Sequence, residues 1–465
     1  MGISISGRDG TIQPSCIAIK VRKEHPLLAL AVCLPWGMLL DLVVEDLKLT
    51  TEKGFWWLGR KIHVRMHLAV YFLQKIYNLT DRAAEYGVKD NAAYQLFCGV
   101  NIVKGWHPPD HTSIEDFRNR LSPETQRILA CELAKIAVEL GFGDPREVDL
   151  DSTVQEANIA YPSDAALLTK LAGMGKKVID YLKKKTKGVL PSGLDIDIQA
   201  IKEKSREYFF LAKNTAIEKR RQVFAEFHNL VKKQLYPLID ICGELDTRRF
   251  SKAPWNIQSA VTQIKSDARR YLLDVAHFIR THKIKHGKIL SFHSKAVACI
   301  KKGKPGKENE FGRVFQLGRI KGNFMFVIAC TDIRMDDKAM FSSLLQEHRA
   351  LFGDETAPSV TADKGYWSAK NLDTAKKYGV QEIGLQRPAR IKSKEGLPSE
   401  ERQSILKGRR AGIEPLIGHA KHGGQLGKSR MKSDKATLAA GYGSVLGLNM
   451  RQLIRCQAGK MKKVA

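Results

Sequence analysis

Glu147-Val148-Asp149-Leu150-Asp151-Ser152-Thr153-Val154-Gln155-Glu156-Ala157-Asn158-Ile159-Ala160-Tyr161-Pro162-Ser163-Asp164-Ala165 is the stretch on which the reading of this chain turns. Strand side chains alternate between faces, so Val148, Leu150 and Ser152 fall on one side and Asp149, Asp151 and Thr153 on the other. Two carboxylates thereby stand side by side, where they repel unless a cation or a basic partner neutralises them. An exposed edge strand with a solvated acidic face would give the same pattern. Residues far downstream decide between the two readings.

The chain has 465 residues, enough for two or three domains each with its own core. Lysine and arginine number 77 against 49 aspartate and glutamate, a net charge of +28. A surplus of that size points to a polyanionic partner, nucleic acid being the commonest. The eight cysteines (16, 33, 98, 131, 242, 299, 330 and 456) are scattered, with no Cys-x-x-Cys pair, which speaks against a structural zinc site or a disulfide framework and fits a reducing compartment. The apolar run from Pro26 to Val44 is interrupted by Pro35 and Asp41. Its longest clean piece, Leu27 to Leu34, is too short for a bilayer and lacks a following cleavage site, so no membrane partner is expected.

Outward from the acidic stretch, the upstream texture is helical. Residues 1 to 24 read as a basic lead-in. Leu68, Phe72, Leu73 and Ile76 repeat at the three and four spacing of an amphipathic helix. Thr80 opens a helix that Gly87 should stop, and Asp90 or Asn91 caps another running to Cys98. That pair fits a helix-turn-helix and also a helical bundle core. Pro108-Pro109-Asp110 breaks the pattern, and two further helices carry it to about Leu140.

Downstream, residues 170 to 288 are helical and carry 26 Lys or Arg against 12 Asp or Glu, a surplus of +14. Clusters at Lys183-Lys184-Lys185, Lys219-Arg220-Arg221 and Arg269-Arg270 suit a phosphate-facing surface better than a merely solvated one. From Lys288 the period changes to two. Strands are expected at Ile289 to His293, Ala296 to Ile300, Phe311 to Leu317, Phe324 to Cys330, Ser359 to Ala362 and Gly379 to Leu385, with a helix near Lys338 to Leu351 and a basic loop at 303 to 307. Strands mixed with helices in this order suggest an α/β core.

Three carboxylates stand out: Asp151 in a strand, Asp363 at a strand's end and Glu414 at the start of a helix. Carboxylates drawn from separate elements suit a site with two Mg²⁺ ions about 3.5–4 Å apart, in which hard cations keep oxygen ligands. Arg410 lies four residues before Glu414 and Lys421 seven after it, near one helical face, although Pro415 makes this firmer for Lys421.

Asp151 to Ala165, Ala362-Asp363-Lys364-Gly365-Tyr366 and Arg409 to Lys421 resemble the three blocks of the DDE transposases of bacterial insertion sequences. Ser291-Phe292-His293, Gly303-Lys304 and Glu310-Phe311-Gly312 extend the likeness over most of residues 60 to 455. The resemblance implies an RNase H-like mixed-sheet catalytic core at 141–165 and 286–455. Around it stand a helical N-terminal region for DNA binding and dimerisation (1–140), a long basic helical insertion (166–285) and a basic tail (456–465). It places Asp151, Asp363 and Glu414 on the catalytic metal-binding triad. Arg410, Glu414 and Lys421 meet the family's Arg-x3-Glu-x6-Lys signature, whereas Lys407 stands where the family has a tyrosine. Asp149 is then a neighbour tuning the site, and Asp164 a helix cap.

The activity implied is cleavage at the inverted-repeat ends of a mobile element and joining of the 3′ hydroxyls to target DNA, with two Mg²⁺ ions for which Mn²⁺ substitutes. The expected partners are double-stranded DNA, contacted by Arg410, Lys421, Lys364, Lys183, Lys184, Lys185, Arg220 and Arg221, and a second copy of the chain. The expected location is the cytoplasm, at the nucleoid. A non-catalytic DNA-binding repressor and an RNase H-like nuclease remain as alternatives.

Overall fold

The apolar stripe at Leu68, Phe72, Leu73 and Ile76 becomes one buried face of a helix, and the core of the larger part of the molecule is assembled around it. The computed structural model describes residues 21–22, 24–50, 61–99, 108–185, 190–191, 193–211, 215–244, 250–304, 307–329, 336–353, 357–385 and 399–464. Residues 1–20 and 23 of the expected lead-in, residues 305–306 of the expected basic loop and Cys330 lie outside them. The helices before the acidic stretch are α1 (Pro26–Cys33), α2 (Trp36–Thr50), α3 (Lys61–Tyr77), α4 (Asp81–Asp90), α5 (Ala92–Phe97), α6 (His111–Arg120) and α7 (Pro123–Glu139).

Their starts follow from side-chain caps that satisfy otherwise orphaned N–H groups. Thr80 accepts from the Ala83 N–H (3.1 Å), Asn91 from that of Ala93 (2.8 Å), Asp110 from that of Ser113 (2.7 Å) and Ser122 from that of Thr125 (3.0 Å). Gly87 does not end α4, which continues to Asp90; the break falls at Asn91, whose side chain begins α5 instead. The short α5 buries Ala93, Gln95 and Phe97, the behaviour of a bundle element. No single helix among the described residues is long and apolar enough to cross a membrane. Segments Pro26–Cys33 and Trp36–Leu47 pass that test only as a pair bent by 74°, and their Leu27, Leu30, Leu39 and Val43 are buried in the protein's own core.

Strand β1 (Asp144–Glu156) follows. After it come α8 (Asp164–Lys185), α9 (Ile198–Phe210), α10 (Ile217–Glu244), α11 (Trp255–Gln263), a π-helical turn over Ile264–Ala268 and α12 (Arg269–Thr281). The remainder comprises β2 (Ala298–Lys304), β3 (Lys307–Lys321), β4 (Phe324–Ala329), α13 (Asp337–Phe352), β5 (Ser359–Ala362), α14 (Ala369–Lys377), β6 (Glu382–Leu385), α15 (Glu400–Ala411), α16 (Ile413–His422) and α17 (Asp434–Val464). The chain divides into two compact units, Met1–Ala157 with Cys299–Ala465, and Asn158–Ala298.

The larger unit is built on a mixed sheet of order β2-β3-β1-β5-β6, with β4 pairing β3. β1 pairs antiparallel with β3, Asp151 opposite Leu317, and parallel with β5, Leu150 beside Ala362. The acidic strand is therefore interior to the sheet, and the edge-strand reading falls away. β3 is far longer than Phe311 to Leu317, because Gly312 lets it lie against β1: a Cβ there would come within 1.9 Å of the Gln155 carbonyl oxygen. Alternation then sends Phe315 against Tyr442 of α17 (ring centroids 5.5 Å apart), while Gln316 donates to Asp337 of α13 (2.7 Å). Buried Asn449 of α17 accepts from the Met325 N–H (2.9 Å) and donates to the Ala130 and Met325 carbonyls (2.9 and 2.7 Å), tying α17 to α7 and β4.

The smaller unit is helical, with a core that includes Leu168, Ile179, Phe227, Val231, Leu235 and Tyr271. Gly175 on α8 admits the neighbouring segments: a Cβ there would meet Ile196 at 2.6 Å and Leu235 at 2.7 Å. Two expectations are corrected here. Ile289 to His293 forms no strand; it is a loop in which the Ser291 hydroxyl accepts from the His293 and Ser294 N–H groups (both 3.3 Å). Asp164 is the first residue of α8, not its cap. The Ser163 hydroxyl accepts from the Ala166 N–H (3.3 Å), and the Asp164 carboxylate instead takes the Tyr271 hydroxyl (2.9 Å) and the Lys288 ammonium (2.6 Å).

Candidate active site

Asp151 sits in the middle of β1, and Asp363 follows directly on the last residue of β5. Since Leu150 and Ala362 are partners in parallel strands, the two aspartates occupy neighbouring positions one step further along. The turn after Asp363 explains the residues that follow. Gly365 passes so close to Asp337 that a Cβ would lie 2.8 Å from its carboxylate, and the Tyr366 hydroxyl donates to the buried Gln316 amide oxygen on β3. The 3-10 turn Lys364–Tyr366 is thus pinned from inside, with Lys364 exposed beside Asp363.

Glu414 comes from the other side of the sequence. The expected continuous helix through Arg410 and Glu414 is interrupted at Gly412, which separates α15 from α16. Pro415 is tolerated in the first turn of α16, where its missing N–H would have no partner. Arg410 still reaches across the break to Glu414, Nη2 to Oε1 at 3.0 Å, and its Nη1 lies 3.6 Å from Asp151 Oδ2. One guanidinium therefore stands between the first and third carboxylates, its own Nε buried and without a hydrogen-bond partner among the described residues. Lys421 lies in the last turn of α16, half-buried, its stem against Gly427.

The Asp151 carboxyl is pushed up to about 6. Burial is the main cause, reinforced by the charges of Asp363 and Glu414 and opposed by the Ser152 N–H (2.7 Å) and Arg410. A carboxyl raised in this way gains from a cation placed against it. Asp151, Asp363 and Glu414 are an all-oxygen donor set, so the chemistry of the residues fits a hard divalent ion. As the side chains stand, no three His, Cys, Asp or Glu among the described residues converge closely enough to hold one. Arg410 occupies the position of counter-charge.

Asp149 is not neutralised by such an ion. It is 2 % exposed and receives Arg319 through Nε (2.8 Å) and Nη2 (2.6 Å), Arg409 through Nε (2.8 Å) and the Thr361 hydroxyl (2.6 Å). Arg409 also donates to the Ser359 hydroxyl (2.8 Å), and Arg319 to the Arg409 carbonyl (2.8 Å). This buried network joins β1, β3, β5 and α15 directly beneath Arg410. Gly412 is its sequence signal, since a Cβ at that position would come 2.1 Å from the Arg319 guanidinium. Arg319 and Arg409 were the residues not singled out in the sequence.

The remaining predicted DNA contacts belong to the smaller unit. Lys183, Lys184 and Lys185 are exposed in the last turn of α8, Lys183 lying 3.7 Å from Asp195. Arg220 and Arg221 sit near the start of α10, Arg221 lying 3.8 Å from the exposed Glu218.

Residues 15–120 match the family described as a transposase domain, DUF772. Over that segment the chain is similar to a transposase domain. This agrees with the resemblance to insertion-sequence enzymes, and the match lies in the helical N-terminal region, ahead of the carboxylates. An uncharacterized protein of Rhizobium meliloti, ORF8 in the nfe locus, is 24% identical over 225 residues, which cover 47% of this chain and 95% of that protein. No solved structure matches.

Proposed function

We propose that this transposase relative is a DDE enzyme that cuts DNA at the inverted-repeat ends of a mobile element and joins the freed 3′ hydroxyls to target DNA. The observation that supports the reading is that one guanidinium, Arg410, lies 3.6 Å from Asp151 on β1 and 3.0 Å from Glu414 on α16, with Asp363 at the end of the parallel neighbour β5. We read the mixed sheet as an RNase H-like core, on the ground that antiparallel β1, β3 and β4 continue through β1 into parallel β5 and β6.

Asp151, Asp363 and Glu414 would hold two Mg²⁺ ions, or Mn²⁺ in their place. When bound, these lower the pKa of the attacking hydroxyl and offset charge on the leaving oxygen. The protein's own part is positional. The Asp149–Arg319–Arg409 network fixes α15 against β1 and β5, and so fixes where Arg410 and Glu414 stand relative to Asp151. Arg410, which stands between Asp151 and Glu414, would offer its guanidinium to a phosphate oxygen of the scissile strand, a bidentate role suited to that group. Exposed Lys364 supplies a second cation next to Asp363. The basic side chains of the smaller unit, Lys183 to Lys185 at the end of α8 and Arg220 with Arg221 near the start of α10, would supply sequence-independent affinity for the duplex. Holding two ends at once calls for a pair of chains, and we take the active species to be a homodimer.

The test is a strand-cleavage assay on duplexes carrying the DNA that flanks the coding region, with and without Mg²⁺. Cleavage should require the metal and vanish in Asp151→Asn, Asp363→Asn and Glu414→Gln, with DNA binding retained. Full activity in any of these variants removes that residue from the site. Cleaved but never joined product would reassign the chain as a nuclease, and metal-independent binding without cleavage as a repressor.

A further inference from the structure

A cavity of about 200 Å³ lies among α3, α6, α7 and the start of α17, and shares no lining residue with the carboxylate cluster. Its polar lining consists of Lys75, Arg118, Asn119, Gln126, Ser433 and Lys435, and no acidic side chain lines it. Three cations therefore converge on one space. Arg118 is paired with Asp81, which also accepts from the Gln74 amide (2.8 Å), and Glu115 reaches Arg118 only at 4.0 Å from solvent. Lys435 is exposed at the rim and donates to a neutral partner, the Asn119 carbonyl (3.1 Å).

Among the described residues the Lys75 ammonium makes no hydrogen bond or ion pair; it lies over the Tyr71 ring, 4.7 Å from Nζ to centroid. Burial, and then the Arg118 charge, push its pKa down to about 8, with Asp81 opposing. The fold nonetheless fixes Lys75 in place. A Cβ at Gly443 would come 2.8 Å from its Cε, and one at Gly447 would come 2.2 Å from its carbonyl oxygen, so the backbone of α17 lies directly on the residue. Arg451 donates to that same carbonyl (3.1 Å). Ser433, whose hydroxyl accepts from the Ala436 N–H (3.2 Å), caps the start of α17 at the cavity wall; Asp434, in the first turn of that helix, is not among the lining residues.

Keeping a cation half-buried, unpaired and beside another cation is costly unless something anionic completes the set. We propose that this cavity is a phosphate-binding site, in which Lys75, Arg118 and Lys435 hold the oxygens of one phosphoryl group. Two positive charges remain after Asp81 is set against Arg118, a match for a phosphoryl dianion. The volume admits a phosphoryl group with several waters, at about 30 Å³ each, and falls below the roughly 300 Å³ of pockets that enclose a drug-sized molecule. The group is therefore inorganic phosphate, or a phosphate carried on a larger nucleic acid that remains outside. The site is independent of the proposed catalytic reading, since it uses none of the same residues.

The experiment uses the full chain in phosphate-free buffer with EDTA, titrated with inorganic phosphate by calorimetry and followed by ³¹P line broadening. One saturable site is expected, weakened about 10-fold or more in both Lys435→Gln and Lys75→Met, the loss typical of one charge-assisted hydrogen bond. Lys435 is exposed, so its variant folds normally; unchanged melting temperatures confirm this for both. Absence of saturable binding, or equal affinity in wild type and both variants, overturns the proposal. Duplex DNA added at saturating concentration then identifies the source. Displacement of the bound phosphate assigns the cavity to the DNA backbone, and simultaneous binding assigns it to a free phosphate compound.

Discussion

Removing the charge of Asp149 should destabilise the larger unit more than removing any carboxylate thought to hold metal. Asp149→Asn keeps the shape but leaves Arg319 and Arg409, whose side chains are 13% and 15% exposed, without their shared counter-charge. Breaking a buried pair from one side costs about 3–5 kcal/mol, mostly the penalty for the stranded ion. Two guanidiniums are stranded here, but both keep neutral acceptors in Ser359, Asn323 and the Arg409 carbonyl. The lower end, about 3 kcal/mol, is therefore expected. Arg409→Met should cost less, about 2 kcal/mol, because Arg319 still neutralises Asp149. In the double variant the two costs should fail to add by about 1–3 kcal/mol, as for residues within one network. Urea unfolding followed by far-UV circular dichroism and by tryptophan fluorescence reads these values, and the loss should fall on one transition, since the helical unit has its own core. A shift below about 0.5 kcal/mol for Asp149→Asn, or strict additivity with Arg409→Met, would refute the network as a structural hub.

Three further outcomes test other parts of the fold. Asn449→Leu removes one acceptor and two donors from a fully buried position and should cost about 3 kcal/mol in the same urea titration; a neutral result would mean the Met325 and Ala130 groups find other partners. Gly318→Ala should cost about 1–3 kcal/mol, because a Cβ would stand 2.0 Å from the Phe326 ring that covers it across the β3–β4 pair, and Phe326→Leu should recover part of the loss in melting temperature. His348 is buried with Nε2 2.8 Å from the Pro145 carbonyl, and burial holds its pKa below the ordinary value. The folded state thus binds fewer protons than the unfolded one. Stability is present in full above about pH 6.5 and falls as pH drops towards the folded value, by up to about 1.4 kcal/mol per pH unit. His348→Phe should flatten that acid limb, and an unchanged slope would exonerate the residue.

Local pattern made much of this molecule legible in its sequence. Period-two alternation placed Val148 and Leu150 in the sheet, the apolar run from Phe324 marked β4, and the glycine after Asp363 marked a strand end, because each is a statement about neighbours a few residues away. Pattern failed where a local cue was outweighed by packing. Gly87 sits inside a helix because Asn91 offers a better break, and Ile289 to His293 is held as a loop by the Ser291 hydroxyl. The role of Asp149 was hidden for a different reason. Its partners lie 170 and 260 residues away, so nothing near it announces that its charge is already spent.

That distance bears on the chemistry. Two aspartates one turn of the pleat apart look equivalent in the sequence, and either could be a metal ligand. The fold separates them by what faces each. Asp149 meets two permanent cations and is closed off, whereas Asp151 lies 3.6 Å from one arginine that also pairs with Glu414. A carboxylate committed to two guanidiniums is a fixture, and one left partly unsatisfied among like charges is a place where a cation binds with gain. The same logic, with sign reversed, applies to Lys75. Its ammonium makes no direct ion pair, lies near Arg118 with Asp81 already paired to that arginine, and has the backbone of α17 against its stem, so an anion entering the cavity binds with gain.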